Sequence, residues 1–87
     1  MTTAKDSNLH AFLKFHSHNQ HILKKLIHIS RVLKKRDIKK CRVNMLLEFI
    51  RLWSIIKTGK DIRINHDFGS LYAKLAMKEA PDLNGFF

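Results

Sequence analysis

The chain has 87 residues, and its 17 Lys and Arg against 7 Asp and Glu give a net charge of +10. This length predicts one small basic domain over residues 1–87 and leaves a homodimer open, while a hydrophobic content of 45% excludes a disordered basic tail. The lone Cys41 excludes an intramolecular disulfide, and neither a signal peptide nor a run of about eighteen apolar residues is present, so we expect a cytoplasmic protein without a membrane partner.

The first helix is predicted from about Ser7, which can cap it, to Phe15. A polar break at residues 17–19 separates it from the next helix. Three histidines lie around this break: His16, His18 and His21. Metal sites use such short spacings, but no Cys or carboxylate lies close by in the sequence to complete a ligand set. We therefore predict no metal site and no other cofactor.

The second helix is predicted over residues 20–35, with capping-box spacing between Ser17 and Gln20 and with Asn19 as the alternative cap. Apolar side chains recur along it at helical spacing: Ile22, Leu26, Ile29 and Leu33. Basic side chains recur with the same step on the opposite side: Lys24, His28, Arg31 and Lys35. One face is thus expected to pack on a core while the other presents positive charge.

The segment from Lys24 to Arg42 contains nine Lys and Arg and one acid, Asp37, so it carries a net charge of +8. Residues 34–42 are predicted to be a loop or to include a short extended piece near Arg42. Solvated helices usually interleave Glu with Lys, so this charge favours a polyanionic partner. Ten residues are predicted to contact nucleic-acid phosphates: Lys24, Lys25, His28, Arg31, Lys34, Lys35, Arg36, Lys39, Lys40 and Arg42.

The third helix is predicted over residues 44–57, with Gly59 as the left-handed residue after it. Apolar side chains cover so much of its circumference that we expect it to be the central helix of the fold: Met45, Leu46, Phe49, Ile50, Leu52, Trp53 and Ile56. Residues 61–65 alternate between polar and apolar, which predicts a short strand in a two-strand ribbon.

The last helix is predicted to begin near Asn65 or Asp67 and to stop at Pro81. Beyond it, Phe86 and Phe87 must dock on the core or bind a partner, and we assign them to partner binding. The predicted fold class is mainly α, a single four-helix domain. The long basic connection without Gly argues against a standard helix-turn-helix, whereas a winged-helix-like variant stays open.

We predict no catalytic residues, because the seven acids are scattered and no Ser–His–Asp order or glycine-rich phosphate loop occurs. Several short stretches resemble a group of small phage and prophage proteins: Phe15-His16, Asn19, His21, Leu46, Glu48, Arg51-Leu52-Trp53, Ile64-Asn65, Tyr72-Ala73-Lys74-Leu75, Met77, Pro81-Asp82-Leu83 and Gly85-Phe86-Phe87. This resemblance implies an origin in a mobile element and a location in its host cell, without implying an activity.

Together these observations predict a small noncatalytic phage-type protein that binds DNA or RNA through its basic helix face and loop. The alternative is an inhibitor or accessory factor, similar to anti-CRISPR proteins, that binds a host protein or nucleoprotein complex. In that case the basic face would meet an acidic protein surface.

Overall fold

The computed structural model describes the backbone of residues 4–87 and the side chains of residues 9–87. It contains four α-helices and two single-turn 3-10 helices: α1 (Ala4–His18), α2 (Gln20–Lys35), α3 (Val43–Thr58), His66–Phe68, α4 (Gly69–Glu79) and Pro81–Leu83. No strand is present over residues 4–87. The prediction of a mainly α, four-helix fold is therefore confirmed. None of these helices is both long enough and apolar enough to span a membrane.

The junction between α1 and α2 is tighter than predicted, because only Asn19 separates the two helices. Residue 7 lies within α1, so Ser7 does not occupy its N-cap position. Ser17 is also helical, and its hydroxyl donates to the Lys14 carbonyl at 2.7 Å. Asn19 does take the N-cap position of α2, but its side-chain amide donates back to the Phe15 carbonyl at 2.9 Å. The side chain of neither predicted cap bonds to α2, although α2 has the predicted bounds.

The central helix of the fold is α2, which packs against α1, α3, α4 and the Pro81–Leu83 turn. Its inner face carries Ile22 and Leu26, both fully buried. Ser30 is also fully buried, and its hydroxyl donates to the Leu26 carbonyl at 2.7 Å. This hydrogen bond removes the cost of burying an unpaired hydroxyl, and the small side chain lets neighbouring elements approach closely.

The prediction that α3 is the central helix is wrong. It buries Leu46, Leu47, Ile50 and Ser54, but an apolar row on its other side is exposed. We call this row the α3 stripe: Met45, Phe49, Leu52 and Ile56. The Cα positions extend over only 45 × 32 × 17 Å, and the shortest dimension accommodates two helix layers. No third helix layer of the described chain packs on the outer side of α3, so that side faces solvent.

Residues 61–65, predicted as a strand, form an irregular segment, so neither the two-strand ribbon nor the winged-helix variant forms in the part of the chain described. Arg63 has a φ of 43°, in the left-handed region that an extended strand does not use. Asp61 is held on α3 by Arg51, with 2.7 Å between Oδ2 and Nη2. Gly59 ends α3 in the predicted left-handed conformation, with a φ of 73°.

The C-terminal helix α4 begins at Gly69, later than the predicted start near Asn65 or Asp67. Asn65 instead caps the 3-10 turn before it, where its side chain accepts a hydrogen bond from the Asp67 backbone N–H at 2.9 Å. After α4 the chain turns at Pro81 and packs back on the core. Phe86 is only 2% exposed, and its carbonyl accepts from the Cys41 N–H at 2.9 Å. The assignment of Phe86 to partner binding is corrected accordingly, whereas Phe87 is half-buried against it.

Candidate nucleic-acid interface

A basic cleft of about 530 Å³ lies between α2 and α3. Its basic and aromatic lining comes from residues 21–28 of α2 and the last turns of α3: His21, Lys24, Lys25, His28, Trp53 and Lys57. The amphipathic pattern of α2 explains the positions of its four residues, because burial of Ile22 and Leu26 turns them away from the core. Three predicted phosphate ligands, Lys24, Lys25 and His28, are thus brought together in one concave site.

The indole of Trp53 anchors two of the cleft lysines. The Lys25 Nζ lies 4.2 Å from the ring centroid, and the Lys57 Nζ lies 5.4 Å from it. Both distances fall within the range of about 6 Å over which an ammonium is attracted to an aromatic face. The half-buried Trp53 therefore gathers positive charge from two different helices at one place.

The charge of this cleft is not neutralised by neighbouring acids. Ion pairs with an N–O distance of 4.0 Å or less among residues 9–87 involve the bases Arg31, Arg51 and His66, and none of them lines the cleft. Among the side chains that the structure describes, no Asp or Glu contributes to the cleft lining either. Clustered bases without acids raise the local concentration of anionic ligands, and they release counterions when they contact phosphates.

Two other predicted ligands contact the C-terminal segment instead. The Arg31 guanidinium donates to both carboxylate oxygens of Asp82, at 3.0 and 3.2 Å, and Lys34 donates to the Asp82 backbone carbonyl. The hydrogen bonds from Arg31 lower the pKa of Asp82 from its ordinary value. The positive charge of Arg31 is therefore compensated by the carboxylate of Asp82, which lies 51 residues further along the chain.

The remaining predicted ligands are spread around the end of α2 and the following loop. Lys35, Arg36 and Lys39 are exposed there, and the chain reverses at Asp37, whose φ of 64° is left-handed. Lys40 and Arg42 line a second groove whose other lining residues are mainly apolar. The structure thus divides the ten predicted ligands among the cleft, a contact with the C-terminal segment, an exposed stretch around the end of α2, and the second groove.

The three histidines near the start of α2 have different surroundings. His16 stacks on Phe12 with 5.9 Å between ring centroids, and the Nδ1 of His18 lies 3.0 Å from the Lys14 carbonyl oxygen. Of these three histidines, only His21 lines the cleft. Over the residues that the structure describes, no group of three His, Cys, Asp or Glu side chains is placed to hold a metal ion.

Trp53 and Lys57 are the site residues that sequence reasoning missed. The helical spacing of Trp53 among apolar residues predicts a core position, and Lys57 is the last residue of the predicted third helix. Their separation of four positions places an aromatic ring and a base on the same side of α3, which is a signal for a cation–π pair. Their approach to Lys25 depends on how α2 and α3 pack, which no local pattern specifies.

Comparison with known proteins found no matching family model, curated protein or solved structure. The resemblance of the sequence to small phage and prophage proteins therefore stays a prediction. The features of the molecule that bear on its function are the geometry and charge of the cleft and of the surfaces beside it.

Proposed function

We propose that this protein is a noncatalytic nucleic-acid-binding protein that holds phosphates in the cleft between α2 and α3. The observation that carries the proposal is the cluster of uncompensated bases around Trp53. Each ammonium donates hydrogen bonds and presents a full charge to phosphate oxygens. Such contacts provide affinity and salt dependence with little sequence preference, which suits a protein that binds many sites on DNA or RNA.

The cleft favours single-stranded over duplex nucleic acid. Proteins that bind single strands combine a positively charged groove with aromatic side chains on which bases stack. Trp53 supplies such a ring at the cleft, and the flexible Lys25 side chain can move from the ring to an adjacent phosphate. Lys24, His28 and Lys57 border the same cleft, so a backbone crossing it meets bases from both helices.

The test is a binding titration with fluorescein-labelled oligonucleotides of about 20 nucleotides. Fluorescence anisotropy measures the affinity at several salt concentrations. We expect single-stranded DNA and RNA to bind more tightly than the matching duplexes. The logarithm of the affinity should fall linearly with the logarithm of the salt concentration. An absence of binding at low salt, or an affinity that salt does not change, would contradict the proposal.

A second candidate is an inhibitor or accessory factor that binds a host protein or nucleoprotein complex, in the manner of anti-CRISPR proteins. The exposed α3 stripe favours it, because a row of large apolar side chains is typical of a protein–protein interface. A pull-down from host-cell lysate with and without nuclease distinguishes the two candidates. Capture of a partner at defined stoichiometry after nuclease treatment supports the second, and loss of all captured material supports the first.

A further inference from the structure

An apolar groove of about 860 Å³ lies between the end of α2, the following loop and the start of α3. It is lined by the half-buried Leu33, the buried Leu46, and the exposed Ile38, Met45 and Phe49. Its lining residues are entirely different from those of the basic cleft. An occupant of this groove would therefore use a separate surface, and the following inference does not rest on the proposed nucleic-acid binding.

The groove continues into the α3 stripe. The side chains of the stripe recur at the spacing of one helix face, so the side chains of a second helix can pack along them. Met45 and Phe49 line the groove and are 61% and 52% exposed, and Ile56 at the far end of the stripe is 77% exposed. The stripe follows one side of α3 for about 17 Å, which is about three helical turns. Five of the eight exposed large apolar residues of the described chain line the groove or belong to the stripe: Ile38, Met45, Phe49, Leu52 and Ile56.

The charges around the groove determine what kind of helix fits it. Over residues 9–87, the groove lining contains two charged residues, Lys40 and Arg42, which are both basic, and no acid. The exposed Arg36 and Lys39 lie in the same loop. A second copy of the chain would bring a net charge of +10 and the same basic loop to the contact, so like charges would face each other.

We propose that this groove and the α3 stripe bind an acidic amphipathic helix of a partner protein. The apolar face of that helix covers Met45, Phe49 and Leu46, and its flanking carboxylates pair with Lys40 and Arg42. Binding of this kind is anchored by apolar side chains at helical spacing, while the charges set the orientation and the choice of partner.

A designed acidic peptide of about sixteen residues, with leucines along one helical face and glutamates elsewhere, serves as the probe. Two control peptides accompany it, one with the same residues in scrambled order and one with lysines in place of the glutamates. Isothermal titration calorimetry should show saturable binding of the acidic helix. The scrambled and lysine peptides should bind at least about tenfold more weakly.

Matched variants of the protein locate the site. Phe49→Ser should weaken the acidic peptide at least about tenfold, whereas Leu13→Ser on α1 should change its affinity less than about twofold. The two residues are similarly exposed, at 52% for Phe49 and 54% for Leu13. If Phe49→Ser does not fold, Met45→Gln replaces it. The combined Lys40→Gln and Arg42→Gln variant should also weaken binding and reduce its dependence on salt.

Equal affinity for the acidic and scrambled peptides, or no effect of Phe49→Ser, would overturn the proposal. Sedimentation that shows a dimer lost in Phe49→Ser would make a second copy the occupant instead. The surface would be assigned to lipid if the acidic peptide did not bind and the protein bound phosphatidylcholine vesicles containing phosphatidylglycerol in a way that required Phe49. Neutralising the cleft residues Lys24 and Lys57 should leave peptide affinity unchanged, which separates this result from that of the nucleic-acid experiment.

Discussion

Neutralising the three cleft lysines should remove a defined part of the electrostatic interaction with nucleic acid. The cleft variant carries Lys24→Gln, Lys25→Gln and Lys57→Gln, at positions that form no ion pair among residues 9–87. A matched control carries three Lys→Gln changes at exposed positions on α1 and α4: Lys14, Lys74 and Lys78. Both variants have a net charge of +7 in place of +10, so they lose the same charge at different places on the surface.

The expected magnitude follows from the number of phosphate contacts. Each contact contributes about 0.7 to the slope of log affinity against log salt for single strands, and about 0.9 for duplex DNA. Three lost contacts should therefore reduce the slope of the cleft variant by about 2 on single strands. The control should keep nearly the wild-type slope, because its substitutions lie away from the cleft.

Anisotropy titrations of labelled single strands at several salt concentrations measure both slopes, and circular dichroism checks that each variant is folded. Loss of the Lys25 and Lys57 contacts with Trp53 is expected to cost about 0.5–1 kcal/mol each, which lowers the melting temperature by several degrees without unfolding the domain. An equal loss of slope in both variants would refute the reasoning. Net charge alone, and not the cleft, would then hold the nucleic acid.

Three further predictions concern the fold. Phe86→Ala should destabilise the domain by about 3–5 kcal/mol because Phe86 is buried, and Phe87→Ala by much less; equal urea midpoints for the two variants would contradict this. Gly59→Ala should cost about 1 kcal/mol, because Gly59 has a φ of 73°, and an unchanged thermal midpoint would argue against that conformation. Hydrogen bonds from Arg51 lower the pKa of Asp61, so this pair should stabilise the fold above about pH 4 and lose its effect as pH falls. Asp61→Asn should be less stable than wild type near pH 7 in urea unfolding, and this difference should shrink in acid; a difference independent of pH would count against the pair.

The second helix was predicted well because its apolar and basic residues occupy opposite sides throughout its length. Both bounds, Gln20 and Lys35, agree with the structure. The third helix was predicted with bounds one residue short at each end, since it spans Val43–Thr58, but its place in the fold was wrong. Its apolar residues surround much of the helix, so periodicity alone did not indicate which side would be buried.

The predicted ribbon failed because alternation of side chains describes only a local preference. In residues 61–65 the contact between Asp61 and Arg51, and the left-handed Arg63, outweigh that preference. The burial of Phe86 was one of two stated alternatives. The choice between them depended on tertiary packing, which places Phe86 in the core and its carbonyl on the N–H of Cys41, 45 positions earlier in the chain.

Residue order by itself determined the four helices and the excess of bases from Lys24 to Arg42, because helical periodicity and formal charge are local properties. Tertiary packing decided which of those bases remain available. It placed Lys25 over Trp53, joined Arg31 to Asp82, and left the α3 stripe uncovered. The physical reason is that these contacts join residues far apart in the chain, and their free energy arises only when the helices pack.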